Sequence, residues 1–333
     1  MEHTAEFEKP IIVIEKKLAD LRELAKEGKV DFKKEIQSLE KKLATITKEI
    51  YEQLTPWQRV LVARHPNRPY SLDYIQNLFI DFEELHGDRN FADDSAVVAG
   101  TALYDLGKKK GKIPVMIIAQ QKGRTTKQKA ERNFGMAKPE GYRKAVRLMD
   151  LANRMGMPII TLIDTPGAYP GLDAEDRGQA QAIAESIVKM FELKVPVIAI
   201  VIGEGGSGGA LAFGVADRVL MLEHSIYSVI SPESCASILW NDSTLAEKAA
   251  EKLKMNSGEL LKFKVIDEII PEPLGGAHRN WDECFKNVRE SLQKNLQKLV
   301  KDIGTKKSKN REKRIQKFRD MGNFALSEKG TET

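Results

Sequence analysis

The sequence has little cysteine and no long apolar run. Only Cys235 and Cys284 occur among 333 residues, too few for a disulfide framework or a cysteine-based zinc site within the chain. The longest apolar stretch, residues 195–203, has the length of a strand and not the roughly 20 residues of a membrane span. The first ten residues are polar and acidic, unlike a signal peptide. These absences predict a reduced, cytoplasmic protein that does not enter a membrane.

Familiar catalytic motifs are also lacking. The chain has no G-x-x-x-x-G-K-[ST] phosphate loop, which excludes a GTPase interpretation of the D-x-x-G sequence at residues 164–167. No Ser-x-x-Lys, G-x-S-x-G or H-E-x-x-H stands in a fitting context, and Ser207 is better suited to cap a helix than to attack a substrate. The five histidines are scattered along the chain: His3, His65, His86, His224 and His278. We therefore expect no metal in this chain, and chemistry that relies on electrostatic stabilisation.

The two ends of the chain differ in composition from the middle. Residues 1–55 carry apolar residues at helical spacing in two stripes, which predicts a helical hairpin arm with a turn near Gly28 and Asp31. Residues 294–319 hold eleven Lys or Arg against two acids, although the whole chain has a net charge of only +5. We expect a basic C-terminal helix or tail over residues 294–333, either solvated or in contact with nucleic acid or an anionic surface.

The middle, residues 56–293, is predicted to be one α/β domain. Apolar runs of strand length alternate with amphipathic segments, and because these runs are continuous, both faces of each strand should be covered. The predicted helices cover residues 71–85, 142–154 and 174–193, and the predicted strands cover residues 96–106, 112–121, 158–165, 195–202 and 218–224.

Two of the predicted strands end in glycine-rich turns, "DTPGAYPG" (164–171) and "GEGGSGG" (203–209). The second matches the dinucleotide fingerprint G-x-G-x-x-G, but only about eight residues separate Gly209 from Asp217, which is too short for a Rossmann crossover helix. Glycines at a helix start let backbone N–H groups approach a ligand, so two such turns can stabilise an oxyanion. The alternative is that the glycines only permit close packing of helix on strand.

Three long segments carry a family resemblance. "GYRKAVRLMDLANRMGMPIITLIDTPGAYPGLDAEDRGQAQAIAESI", "GEGGSGGALAFGVADRVLMLEHSIYSVISPESCASILW" and "IDEIIPEPLGGAHRN" resemble the alpha subunits of bacterial acetyl-CoA carboxylase carboxyltransferases, a similarity that extends from the arm to about residue 300. The resemblance implies a crotonase-like (ClpP/crotonase) spiral of ββα units with an N-terminal helical arm. It also implies transfer of a carboxyl group from carboxybiotin to acetyl-CoA, giving malonyl-CoA for fatty acid synthesis.

The same resemblance implies partners. Biotin is attached to a separate biotin carboxyl carrier protein and not to this chain. A homologous beta subunit bears a four-cysteine zinc ribbon and forms an α2β2 heterotetramer with the alpha subunit, and biotin carboxylase joins the larger complex. Two rival functions remain open. One is an acyl-CoA hydratase, isomerase or hydrolase of the same fold that acts alone, and the other is a scaffold or nucleic-acid-binding protein.

The expected site combines the resemblance with the two turns. Backbone N–H groups of Gly208 and Gly209 would form an oxyanion hole for the ureido oxygen of biotin, supported by Gly205 and Gly206 and faced by the turn at Gly167 and Ala168. Basic residues are candidate contacts for CoA phosphates or the transferred carboxylate, although a solvated role is equally open: Lys122, Arg124 and Arg177.

Overall fold

A computed structural model describes residues 5–26, 32–107, 111–302 and 309–322. Its helices are α1 (Lys9–Lys26), α2 (Lys33–Glu52), α3 (Pro56–Ala63), α4 (Ser71–Leu78), α5 (Thr126–Glu131), α6 (Pro139–Met155), α7 (Leu172–Asp176), α8 (Gln179–Glu192), α9 (Ser207–Leu211), α10 (Pro232–Trp240), α11 (Ala246–Leu253), α12 (Ser257–Lys262), α13 (Trp281–Leu299) and α14 (Asn310–Arg319). Its strands are β1 (Ile80–Glu84), β2 (Val97–Asp105), β3 (Lys112–Gln120), β4 (Ile159–Thr165), β5 (Val197–Gly206), β6 (Arg218–Leu222), β7 (Ile226–Ser228) and β8 (Glu268–Ile270).

The strands form one mixed sheet with the order β1-β2-β3-β4-β5-β6-β8, and β7 pairs with the far end of β5. β1, β2 and β3 are antiparallel to one another, whereas β3, β4, β5, β6 and β8 are parallel. One face packs against α6 and α8, and the other packs against α4 and α13. Every residue of β4 and β5 is buried, as their continuous apolar sequence predicts.

Two predicted helices end or break earlier than expected. The helix predicted over residues 71–85 ends at Leu78, and residues 80–84 instead form the edge strand β1, which pairs with β2. The helix predicted over residues 174–193 is interrupted at Gly178, whose left-handed backbone (φ 80°) separates α7 from α8. In both places the sheet and the turn override the local helical pattern.

The arm forms the two helices that its stripes predict. Apolar side chains of α1 and α2 pack together and against Val62 at the end of α3. Tyr51 also reaches the main domain, where its ring meets that of His224 edge-on at 5.4 Å. The predicted turn at Gly28 and Asp31 lies outside the described residues.

The predicted boundary between residues 293 and 294 is wrong, because α13 crosses it without a break and buries Leu292 and Leu296 in the core. Farther along, Arg314 in α14 is buried and pairs with Asp217, with Nη2 to Oδ2 at 2.8 Å. The described part of the basic segment is therefore docked on the domain. No helix within the described ranges is both long and apolar enough to cross a bilayer.

Candidate active site

The two glycine turns lie in contact, because β4 and β5 are parallel neighbours that end at the same edge of the sheet. A Cβ atom on Gly206 would lie 2.1 Å from the Pro166 carbonyl oxygen, and one on Gly209 would lie 2.7 Å from Ala168 N. Both distances are too short for any side chain, so the turns can touch only where glycine stands. The structure thus brings together the predicted set: Gly167, Ala168, Gly205, Gly206, Gly208 and Gly209.

Helix α9 begins directly after β5 and presents its first-turn N–H groups at this contact. The amides of Gly208 and Gly209 have no helix carbonyl four residues before them, so they are the natural donors to a ligand oxygen. Gly208 is partly exposed, and a built Cβ would meet its nearest atom, Ile183 Cγ2, at an ordinary contact distance of 3.6 Å. The geometry permits a small anionic atom to approach the backbone at Gly208.

Ser207 does not have the capping role expected of it. The N-cap position of α9 is Gly206, without a side-chain cap, while Ser207 is exposed and adopts a left-handed backbone (φ 54°). That conformation is uncommon for a residue other than glycine. The motif G-x-S-x-G does occur at residues 205–209, and in the structure it lies at a strand-to-helix turn. This context of the motif was not predicted from the sequence.

A mainly apolar cavity of about 380 Å³ opens beside Ser207 and Gly208. Its wall combines the crossover after β5 with the C-terminal segment, because Phe318 and Met321 line it. The C-terminal basic segment, predicted to be either solvated or in contact with nucleic acid or an anionic surface, therefore supplies part of this wall. The other apolar lining residues include Leu211, Val219, Tyr227, Val229, Leu253, Leu260 and Val265.

Lys122 is enclosed behind the two turns. Its Nζ lies 2.8 Å from Asp164 Oδ1, at the end of β4, and 3.3 Å from Glu204 Oε2, at the end of β5. Burial by itself lowers the pKa of Lys122, but the charges of Asp164 and Glu204 outweigh it and raise the pKa. Burial likewise raises the pKa of Glu204, and Lys122 and Arg64 reverse that effect. Lys122 is therefore an internal cation that joins the two strand ends.

The other two predicted cations are also paired. Arg124 forms an ion pair with Asp73, and its guanidinium lies over the rings of Tyr70 and Trp281, at 4.4 and 4.9 Å from the centroids. Arg177 Nε lies 2.7 Å from an Oε atom of Glu140. A substrate anion would have to compete with these carboxylates, and the role of all three cations in anion binding stays a prediction.

The chain matches the family model described as "Acetyl co-enzyme A carboxylase carboxyltransferase-like" over residues 4–322. It is 54% identical over 320 residues to the acetyl-coenzyme A carboxylase carboxyl transferase subunit alpha of Thermus thermophilus. This alignment covers 96% of this chain and 98% of the relative. It is 53% identical to the subunit of the same name from Geobacter metallireducens, over 97% of this chain and 99% of the relative.

Solved structures resemble the chain in fold at low sequence identity. A transcarboxylase 12S structure with bound methylmalonyl-coenzyme A has a TM-score of 0.55 at 18% identity, and the match covers 69% of this chain and 41% of that one. A Pseudomonas malonate decarboxylase hetero-tetramer in complex with coenzyme A has a TM-score of 0.51 at 18% identity, covering 68% and 90%. These likenesses confirm the predicted crotonase-like α/β fold.

Proposed function

The chain belongs to the acetyl co-enzyme A carboxylase carboxyltransferase family, and from this membership we propose that it is the alpha subunit that completes the carboxyl-transfer site. In this proposal the chain acts with a beta subunit to move a carboxyl group from carboxybiotin, held on the biotin carboxyl carrier protein, to acetyl-CoA. The product is malonyl-CoA for fatty acid synthesis. The observation that carries the proposal is the contact between the two glycine turns, which places the start of α9 and the partly exposed Gly208 beside the apolar cavity.

The chain's own part in the reaction is electrostatic. Backbone N–H donors fixed before the reaction lose little energy to reorganisation when negative charge develops on a nearby oxygen. The close approach of Gly206 to Pro166, and of Gly209 to Ala168, holds the two turns in one arrangement. Lys122 adds a link between Asp164 and Glu204 directly behind the turns. We expect this packing to keep the donors of Gly208 and Gly209 aimed at one point.

The residues present fit a biotin ring system. The partly exposed Gly208 leaves room for a ureido oxygen, and the adjoining cavity of about 380 Å³ has apolar walls suited to the ring and its alkyl chain. When bound, carboxybiotin supplies the carboxyl group, and loss of that group leaves negative charge on the ureido oxygen. The amides of Gly208 and Gly209 would donate to that oxygen, with Gly205 and Gly206 maintaining the turn and Gly167 and Ala168 facing it.

We assign the thioester half of the site to the beta subunit. The named relatives are alpha subunits, which implies a beta partner, and the α2β2 assembly, the carrier protein and biotin carboxylase are part of the same proposal. The three predicted cations are engaged with carboxylates, which favours CoA contacts on the partner. Cytoplasmic location is proposed as well, supported by two cysteines that are both free.

A hydratase or hydrolase that acts alone receives less support. Such an enzyme would need a carboxylate base in the pocket. Asp164 and Glu204, the carboxylates at the ends of β4 and β5, are both ion-paired with Lys122, and the pKa of Glu204 is lowered rather than raised. A lowered pKa makes a carboxylate a weaker base.

The proposal is tested by reconstitution. We expect the purified chain mixed with its beta subunit to decarboxylate malonyl-CoA when a biotin analogue is supplied, and neither subunit to do so alone. Gly208→Val in the mixture should lower kcat by about 10²–10³-fold, the usual effect of losing an oxyanion donor. No turnover in the wild-type mixture would contradict the assignment, and turnover by the chain alone would favour the rival enzyme.

A matched control separates the donor role from general damage. Gly258 also lies in the first turn of a helix, α12, with the nearest atom to a built Cβ at 3.5 Å, against 3.6 Å at Gly208. Gly258→Val should therefore retain wild-type kcat, and both variants should pair with the beta subunit in sedimentation. An equal decrease in kcat in the two variants would contradict the oxyanion role of Gly208.

A further inference from the structure

Three potential metal ligands from remote parts of the sequence meet where the arm joins the main domain. Glu8 precedes α1, His65 follows α3 and His278 precedes α13. One ligand atom from each lies within 4.8 Å of the other two. The two imidazole rings are stacked, with centroids 3.9 Å apart. The cluster is separate from the glycine turns and has no part in the function proposed above.

The buried side chain of His278 is a second, independent observation that points to a ligand in this cluster. Its side chain is only 5% exposed. Neither ring nitrogen has a hydrogen-bond partner in the described part of the chain, and Glu8 Oε1 approaches Nε2 no closer than 3.4 Å. Buried polar groups are almost always satisfied, so a buried imidazole with two unpartnered nitrogens indicates a missing water or ion.

We propose that Glu8, His65 and His278 bind a divalent transition-metal ion, Zn²⁺ in the first instance, with water as the fourth ligand. Two imidazoles and one carboxylate are a common zinc ligand set, and metal–ligand bonds of about 2.0–2.1 Å place tetrahedral donors about 3.3 Å apart. The observed separation of 3.4 Å between His278 Nε2 and Glu8 Oε1 already matches that value. The other donor pairs lie within 4.8 Å, so they need a shift of at most about 1.5 Å. One imidazole must also turn out of the stack, so that the lone pairs of both rings point at the ion.

The residue types suit a cation, since imidazole nitrogen and carboxylate oxygen are both common zinc ligands. The nearby Arg279 carries a positive charge, which Glu15 offsets at 2.5 Å.

Metal binding would displace some of the hydrogen bonds that His65 and Glu8 now accept. Asn67 N–H donates to His65 Nδ1 at 3.2 Å, so this ring would either lose that bond or flip to present its other nitrogen. Tyr51 and Arg279 both donate to Glu8 Oε1, so this oxygen would give up one of these two hydrogen bonds when it binds the ion. A cavity of about 780 Å³ borders all three ligands and gives an ion and its water a path of entry. The bound ion would fasten the arm to the main domain.

The test uses the full-length chain purified without its partner, stripped with EDTA and then titrated with Zn²⁺ alone. We expect one ion per chain by calorimetry, a raised thermal midpoint, and a Co²⁺-substituted form with the visible absorption bands of tetrahedral cobalt. His65→Gln should lower the affinity at least tenfold and abolish those bands. Absence of binding to the wild-type chain at micromolar Zn²⁺ would overturn the proposal and leave the cluster as a stacked histidine pair beside Glu8.

Two further variants keep the test decisive. His86 lies on the surface beside Asp93, at 3.0 Å, and His86→Gln should bind zinc as the wild type does. If His278→Gln fails to fold, Glu8→Gln and His65→Gln still remove single ligands. Equal zinc affinity in His65→Gln and His86→Gln would assign the bound ion to another site and contradict the proposal.

Discussion

The glycine turns and the Glu8–His65–His278 cluster are built in opposite ways. Each glycine turn is a short stretch of sequence, and the two are neighbours because consecutive parallel strands end at the same edge. The cluster joins residues more than 200 positions apart, from the arm, the segment after α3 and the loop before α13. The turns depend on the absence of side chains, whereas the cluster depends on buried ionisable ones.

This difference explains which region a sequence can reveal. Glycine density is visible in the letters, and its consequence follows from local backbone geometry. Histidines scattered along a chain carry no such signal, and only the folded structure places His65 against His278. The sequence predicts no metal because its histidines are far apart along the chain. The proposed site depends instead on their short distance in the folded structure.

The interior of the main domain should be sensitive to loss of charge. Arg68 and Glu272 form a doubly hydrogen-bonded, fully buried ion pair, with N–O distances of 2.7 and 2.8 Å. Glu272→Gln leaves the guanidinium unpaired and should lower the free energy of unfolding by about 3–5 kcal/mol. Urea denaturation measures this loss, and Glu49→Gln, on the exposed face of α2, should change it by less than about 0.5 kcal/mol.

The same pair gives the stability of the domain an acid dependence. Burial raises the pKa of Glu272, but Arg68 outweighs it and lowers the pKa to about 2, from an ordinary value of 4.5. A carboxyl group with a lowered folded-state pKa stabilises the fold above its unfolded pKa and loses that effect as the pH falls through the folded value. Stability should therefore drop between pH 4.5 and about 2 in the wild type and drop less in Glu272→Gln. The same dependence of stability on pH in the wild type and in Glu272→Gln would contradict this prediction.

The glycine turns should instead be sensitive to added volume. Gly206→Ala would place a Cβ 2.1 Å from the Pro166 oxygen, which forces the backbone apart and should cost about 1–3 kcal/mol of stability. Gly208→Ala has room and should be neutral in thermal denaturation. If Gly206→Ala proves as stable as Gly208→Ala, the close contact of the two turns does not constrain them as described.

The smallest expected effect is the pH dependence from His65. Burial, with the neighbouring His278, lowers its pKa to about 4 from 6.5, so the unfolded chain binds more protons between these values and stability falls as the pH falls from 6.5 to 4. His65→Gln should reduce this loss by about 1 kcal/mol in EDTA, because the ring is partly exposed to solvent. His86→Gln should keep the wild-type slope in the same urea titrations.

The sequence predicted the elements whose signal is local. The arm helices, the paired strands β2 and β3, and the buried strands β4 and β5 followed from periodicity and continuous apolar runs. β1 was missed because residues 80–84 are suited to a helix and are held as a strand only by pairing with β2. The break at Gly178 was missed because one glycine within a helical pattern is compatible with an unbroken helix.

In the C-terminal segment, tertiary structure determines whether basic side chains are solvated or buried. Residues 294–319 are a run of basic letters, which predicts a solvated helix or a polyanion contact. In the structure Arg314 is buried against Asp217 and three backbone carbonyl groups, and Phe318 packs edge-on against Phe191 at 5.4 Å. These partners, Asp217 among them, are distant in sequence, so nothing in the basic run itself predicts the docking.

The sequence by itself determined the α/β class, the family and the two glycine turns, because each depends on residues close together in the chain. Tertiary structure decided which glycines contact the facing turn, which cations are already paired, and which histidines meet Glu8. The physical reason is that periodicity and backbone freedom are properties of neighbouring residues, whereas burial and the pairing of charges depend on the path of the whole chain.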